Sequence, residues 1–249
     1  MLELEGSART TAGRRDNNED SFCSEPALGL FAVADGMGGY EGGEVASRLV
    51  IETLLEFFWR NARDADATWP FALDPDAGLP ENMARVGIRM AHEEVTSRRQ
   101  GRLAAMGSTV AALVIRDGHA IVAHVGDSRV YRLRGGRLRQ LTADHSFLAE
   151  LARAGGALPD RARFGYANVI TRAIGCDGGG RPDVLREPLR AGDVFLLCTD
   201  GLVEGVADDR IAAILAESAP EEACEALVAE AVARGSRDNV TAIVVRVRR

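Results

Sequence analysis

The chain has 249 residues, 46% of them hydrophobic and 27% charged, with 30 basic against 37 acidic side chains, a net charge of −7 and a pI near 5.3. That balance leaves no overall electrostatic footprint for nucleic acid or an anionic membrane surface. No apolar run approaches the roughly eighteen residues of a membrane span, Met1-Leu2-Glu3-Leu4-Glu5 is no signal peptide, and the expected setting is cytoplasmic.

From the N-terminus, Leu2 to Thr11 and Phe22 to Ser24 are compatible with strands on either side of a polar turn at Gly13 to Asn18, near which Arg15, Asn18, Glu19 and Asp20 gather. The apolar run Leu28 to Ala34 reads as a buried strand ending at Asp35-Gly36-Met37-Gly38-Gly39, which is expected to open a helix. A carboxylate where a strand runs out, followed by glycines that let the backbone turn and expose a carbonyl, is the first half of a hard-cation site. Taken alone, the same residues are an ordinary turn. Val45, Ala46, Leu49, Val50, Leu54, Phe57 and Phe58 recur at helical spacing and predict a helix from about Glu44 to Trp59. Asn61 to Pro80 is a polar connection that Trp69 and Phe71 are expected to pin down, and a second helix follows at about Glu81 to Arg98.

Next come short β-branched runs. Val110 to Ile115 and His119 to Val125 flank Asp117-Gly118, while Arg129 to Leu133 and Leu138 to Leu141 flank Gly135-Gly136. Both dipeptides are two-residue hairpin signals, and together the runs predict one antiparallel meander. Phe147 to Arg153 reads as a short helix, Gly155 to Asn168 as a surface loop or lid carrying Pro159 and Asp160, and Gly178-Gly179-Gly180 as a flexible turn. Val194 to Cys198 repeats the earlier design, an apolar strand ending in Thr199-Asp200-Gly201. Helices are expected at Asp209 to Ala216 and Glu221 to Ala233, the second with a capping box from Ser218 and Glu221, before a last strand from Val240 to Val247 preceded by Asp238-Asn239.

The four cysteines are scattered without a C-x-x-C pair, which suits reduced thiols, and the four histidines lack zinc spacing, so any metal should be held by oxygen. Asp35, Asp200 and Asp238 stand at strand termini far apart in sequence, with Glu19-Asp20 beside another strand. Strand ends can converge at one rim of a sheet, where several carboxylates suit octahedral Mg²⁺ or Mn²⁺. Each aspartate taken singly is also a routine turn former.

Six motifs in order, Arg15-x-x-Asn18-Glu19-Asp20, Asp35-Gly36-Met37-Gly38-Gly39, Gly107-Ser108-Thr109, Gly126-Asp127-Ser128-Arg129, Thr199-Asp200-Gly201 and Asp238-Asn239, resemble the signature set of the metal-dependent protein Ser/Thr phosphatases, the type 2C group. The set runs from residue 15 to residue 239, and Met37 with the compact length looks most similar to bacterial members. The resemblance implies an α+β fold, a four-layer α-β-β-α sandwich of two antiparallel sheets flanked by helix pairs, in a single catalytic domain over residues 1–249. It also implies hydrolysis of phosphoserine and phosphothreonine in proteins by a water that two Mn²⁺ or Mg²⁺ ions activate, reversing a cognate Ser/Thr kinase.

By the same resemblance, Asp35 bridges both ions, Asp200 and Asp238 complete the first, and the Gly36 carbonyl reaches the second. Glu19, Asp20, Thr109 and Glu204 would hold metal-bound waters, Asp127 a third, weaker ion, and Arg15 the substrate phosphate. Two cations offset the charge that makes a phosphomonoester resist a nucleophile, and a guanidinium can grip two phosphate oxygens at once. No cysteine has the context of a phosphatase nucleophile. Met37 departs from members with a histidine after the Asp-Gly and cannot donate a proton; His145 is a conceivable substitute, though Asp144-His145-Ser146 also reads as a cap for the following helix. Expected partners are phosphoproteins and the kinase, with no nucleic acid or membrane, and the expected state is a monomer. The alternatives are a catalytically weak phosphopeptide-binding scaffold, which should have lost metal ligands, and a phosphodiester hydrolase, which the motifs do not support.

Overall fold

The structure is a computed structural model that describes residues 2–39, 42–64, 68–155 and 169–249. Its strands are β1 (Glu3–Thr11), β2 (Asp20–Glu25), β3 (Leu30–Met37), β4 (Gly107–Ser108), β5 (Val110–Arg116), β6 (His119–Val125), β7 (Arg129–Arg134), β8 (Arg137–Gln140), β9 (Asp183–Pro188), β10 (Val194–Cys198) and β11 (Val240–Arg248). The helices are α1 (Gly42–Arg63), α2 (Leu79–Ser97), α3 (Phe147–Arg153), α4 (Asp200–Gly205), α5 (Asp208–Glu217) and α6 (Pro220–Ala233). One antiparallel sheet has the order β1-β11-β10-β7-β8; the other has the order β2-β3-β5-β6-β9, with β4 paired to β3.

The strands alternate between two apolar environments, which is why they read as continuous apolar runs. In β3, Phe31 and Val33 face the second sheet while Leu30, Ala32 and Ala34 face α1 and α2. In β10, Phe195 and Leu197 meet the same inter-sheet core, and Leu196 and Cys198 face α4, α5 and α6. Three packed cores therefore separate four layers, as expected. Each large side chain fully buried between the sheets contributes roughly 2 kcal/mol by area.

Strands β5 through β8 do not form one meander. The hairpin β5–β6 belongs to one sheet and the hairpin β7–β8 to the other, so the chain crosses between sheets at Gly126-Asp127-Ser128. Both hairpin turns are as anticipated: Asp117 and Gly118 lie at φ 51° and 72°, Gly135 and Gly136 at 56° and 77°, matching the right-handed strand twist. Asp35 does not end its strand, because β3 continues to Met37 through pairing with β4.

The capping box predicted from Ser218 and Glu221 is replaced by one bond, the Ala219 N–H donating to Glu222 Oε2 at 3.3 Å. Trp69 does pin its connection, stacking edge-on against Phe57 at 5.4 Å and donating Nε1–H to Asn61 Oδ1 at 2.5 Å. In the turn at Gly178 to Gly180, Gly178 faces open space, but Gly179 is packed, with no room for a Cβ against the Ala173 carbonyl. The predicted loop from Gly155 to Asn168, with Asp160, lies outside the described residues from 156 onward.

Candidate metal centre

Strand register explains why distant carboxylates meet. Asp20 is directly opposite Asp35 on the β2–β3 ladder. In the other sheet Cys198 pairs with both Ala242 and Arg129, and Thr11 pairs with Val240. The end of β10, the starts of β11 and β7 and the end of β1 therefore share one edge. Asp200 follows the first, Asp238 and Asp127 precede the next two, and the loop with Arg15 leaves the last. Val110 pairs with Val125, which brings the Gly126 crossing to the same edge.

Hydroxyl and amide side chains hold this edge together. Asp20 is buried, and its Oδ2 accepts from the hydroxyls of Thr199 at 2.9 Å and Thr241 at 2.6 Å. The Asp35 N–H donates to Thr109 Oγ1 at 3.0 Å, and that hydroxyl is 2.7 Å from Ser128 Oγ. Glu19 is fixed through its backbone: its N–H donates to Asn239 Oδ1 at 2.8 Å, and its carbonyl accepts from Gly36 N and Ser47 Oγ. Asn239 also donates through Nδ2 to the carbonyls of Ala12 and Asn17, tying the Arg15 loop to the turn at Asp238. Gly36 has no space for a side chain, because a Cβ would run into the carbonyls of Gly43 and Glu19.

Arg15 reaches the rim of the group, donating from Nη2 to Asp238 Oδ2 at 2.7 Å and from Nε to the Arg237 carbonyl at 2.9 Å, with about half its side chain exposed (55%). Glu204, on α4, is exposed and accepts from the Arg237 N–H at 3.4 Å. The structure thus brings Arg15, Glu19, Asp20, Asp35, Gly36, Thr109, Asp127, Asp200, Glu204 and Asp238 to one edge. Sequence reading assigned no role to Thr199, Thr241, Ser47, Ser128 or Asn239. Thr199 and Asn239 adjoin acidic residues in sequence, but the ladder that joins Thr199 to Thr241 has no local signature.

The carboxylates at this edge strain one another electrostatically. Oδ1 of Asp20, Asp127 and Asp200 is buried without a hydrogen-bond partner. Burial first, and repulsion by Asp200 and Asp238 next among the raising causes, pushes Asp20 to about 7 against the hydroxyl bonds that lower it. Burial, then Asp200, does the same for Asp127, also to about 7. Asp200 rises to about 6 through burial, Asp238 and Glu204, and a hydrogen bond with Asp35 partly offsets this. Burial, then Asp20 and Asp200, lifts Asp35 well above the usual carboxylate range. Orphaned buried acceptors and mutually repelling carboxylates are costly unless protons or cations answer them. An all-oxygen set of this kind fits hard divalent ions such as Mn²⁺ or Mg²⁺.

A second cluster gathers His124, His145 and Asp183, with possible ligand atoms within 4.8 Å of one another. Its hydrogen bonds argue against an ion. His145 Nδ1 accepts the Gly126 N–H at 3.1 Å, so Nε2 carries the ring proton and faces Asp183 Oδ2 at 3.2 Å. The Arg172 guanidinium lies against His145 Nε2 and donates to the other carboxylate oxygen, Asp183 Oδ1, at 2.9 Å. Burial, followed by His124, lowers His145 to about 4, which keeps the ring neutral. Neither ring nitrogen is free to protonate a leaving group. Ser146, not His145, caps α3, accepting from the Ala149 N–H at 3.4 Å. Burial raises the thiols of Cys23, Cys198 and Cys224 to about 12, so none is a ready nucleophile.

Comparison with known proteins matches residues 8–234 to the protein phosphatase 2C family. Among curated relatives, the serine/threonine phosphatase stp of Listeria monocytogenes is 32% identical over 243 residues, 95% of this chain and 93% of the relative. The crystal structure of the Mycobacterium tuberculosis serine/threonine phosphatase PstP superposes with a TM-score of 0.85 at 32% identity, covering 100% of both chains. The PstP catalytic domain in complex with two manganese ions gives 0.83 at 33% identity, again over 100% of both chains.

Proposed function

Because the chain belongs to the protein phosphatase 2C family, in which it is a metal-dependent protein Ser/Thr phosphatase, we propose that the acidic edge is its dimetal catalytic centre. The observation that carries this assignment is the set of buried and half-buried, mutually repelling carboxylates with three orphaned oxygens beside a half-exposed guanidinium. A catalytically silent scaffold would have no need of such a set.

Mn²⁺ or Mg²⁺ held at this edge neutralises phosphate charge and acidifies water. Asp35, Asp200, Asp238 and the Gly36 carbonyl would hold the two ions, with Asp35 common to both, Asp200 and Asp238 serving one and the Gly36 carbonyl the other. Glu19, Asp20, Thr109 and Glu204 would act through water, and Asp127 would hold a third, weaker ion. Arg15 binds the substrate phosphate and orients the ester for in-line attack on phosphorus. Met37 supplies no proton, so the leaving seryl or threonyl oxygen takes its proton from solvent within the site. Residues 1–249 act as one catalytic domain.

The phosphoprotein substrate requires a kinase that installs the phosphate, and we assign the enzyme to the opposing arm of such a signalling pair. Free cysteines suit a reducing cytoplasm, and among the described residues no helix is long and apolar enough to cross a membrane. The test is hydrolysis of phosphoserine, phosphothreonine and phosphotyrosine peptides with Mn²⁺ and with chelator. Turnover of the first two is expected only with metal, and Asp35→Asn should abolish it while the protein stays folded. Chelator-resistant turnover, or near wild-type turnover by the variant, would overturn the assignment.

A further inference from the structure

Asp127 is carried by the crossing between the two sheets, Gly126-Asp127-Ser128, and the crossing is pinned from two sides. On one side Thr109 packs against Gly126, where a Cβ would approach Thr109 Cβ to 2.6 Å, and Thr109 Oγ1 bonds Ser128 Oγ at 2.7 Å. On the other side lies His145. Its N–H donates to the Gly126 carbonyl at 2.9 Å, and its Nδ1 accepts the Gly126 N–H at 3.1 Å, so one residue holds both polar groups of Gly126. Gly126 has φ 105°, a conformation that leaves its N–H outside any ladder and in need of a dedicated acceptor.

The imidazole is itself immobilised. It is fully buried, stacked on His124 with centroids 4.5 Å apart and planes 15° from parallel. His124 is fixed in turn through Nε2 at 3.0 Å from the Ala143 carbonyl. At the far side of the ring, Nε2–H faces Asp183 Oδ2 on β9, whose other oxygen accepts from Arg172 at 2.9 Å. Every polar atom of the ring is used inside the protein, and none reaches the acidic edge.

We propose that His145 is a positioning residue for the metal centre: through Nδ1 it fixes the peptide before Asp127 and so aims the unpartnered Asp127 Oδ1 at the third ion. The inference rests on the reading of Asp127 as a metal ligand. Residues that orient a ligand from behind typically change metal affinity about 10- to 100-fold when replaced.

Two substitutions separate the ends of the ring. His145→Asn keeps an acceptor where Nδ1 stood and loses the Asp183 contact; His145→Gln keeps a donor near Nε2 and loses the acceptor to Gly126. Metal-free wild type, both variants and Asp127→Asn would be titrated with MnCl₂, with bound Mn²⁺ followed by calorimetry and free Mn²⁺ by electron paramagnetic resonance. The expected result is loss of the weakest site in Asp127→Asn, its weakening by about 10-fold or more in His145→Gln, and a near wild-type profile in His145→Asn. The tighter sites should keep their affinity throughout. If Asp127→Asn loses the weak site and His145→Gln keeps it, the positioning role is overturned while Asp127 stands as a ligand. Retention of the weak site by Asp127→Asn overturns both. Equal weakening by Asn and Gln, or parallel loss at every site, marks a purely structural histidine and also overturns the proposal.

Discussion

Arg15 is half-exposed yet anchored, because its Nε is held by the Arg237 carbonyl and its Nη2 by Asp238. The exposed face of the guanidinium is thus presented at the rim with little orientational freedom left to lose on binding a phosphate. A hydrogen bond to a charged group is worth about 1.5–3 kcal/mol. Arg15→Ala should therefore raise KM for phosphopeptides by roughly 10- to 100-fold, more than it lowers kcat, in steady-state kinetics at saturating Mn²⁺. An unchanged KM would remove Arg15 from the phosphate site. Asp35, Asp200 and Asp238 are legible in the sequence because each adjoins a strand and a turn-forming partner. Thr199, Thr241 and Asn239 are not, since their work of holding Asp20 and Glu19 depends on contacts across more than 170 residues of chain.

At the level of elements, β3 and α1 meet so closely at Gly36 that a methyl group there would collide with two backbone carbonyls, of Gly43 and Glu19, neither of which can rotate away. Overpacking of this kind costs about 3 kcal/mol or more when only backbone can yield. Gly36→Ala should lower the urea midpoint accordingly and impair Mn²⁺ binding in the same variant; a stability within about 0.5 kcal/mol of wild type would mean that the joint is looser than its geometry. Helices α1 and α2 and strand β10 are visible in the sequence through periodicity or a dense apolar run. Strand β9 is not, because it lies at a sheet edge with no buried residue and an irregular mix of exposed and half-buried positions, and α4, with six residues, is too short to show a helical period. The meander is misread for a different reason. Two adjacent hairpins look alike in sequence whether or not they share a sheet, and the crossing at Gly126 to Ser128 is decided by which face each hairpin buries.

Over the whole molecule, the acidic edge sets stability against catalysis. Without metal, Asp20 and Asp127 at about 7, Asp200 at about 6 and Asp35 well above the usual range retain protons in the folded state that the unfolded chain releases near its ordinary value of 3.8. The stabilisation from these raised values is fully present below the unfolded value and is lost as pH rises through the folded ones. Metal-free protein in chelator should melt at a lower temperature at pH 8 than at pH 5.5, and Mn²⁺ should raise the melting temperature more at pH 8, where it no longer competes with protons. A chelator profile flat across this interval in differential scanning fluorimetry would show that the carboxylates are less buried and less crowded than the structure has them. The sequence by itself determined the strand faces, the hairpin turns, the ordered motifs and the preference for oxygen-ligated metal, because these depend on residue type and short spacing. Only the tertiary structure decided which carboxylates meet and what holds them: Asp20, Asp35, Asp127, Asp200 and Asp238 come from different strand ends, and their convergence is a product of ladder register and the sheet crossing, which no local pattern encodes.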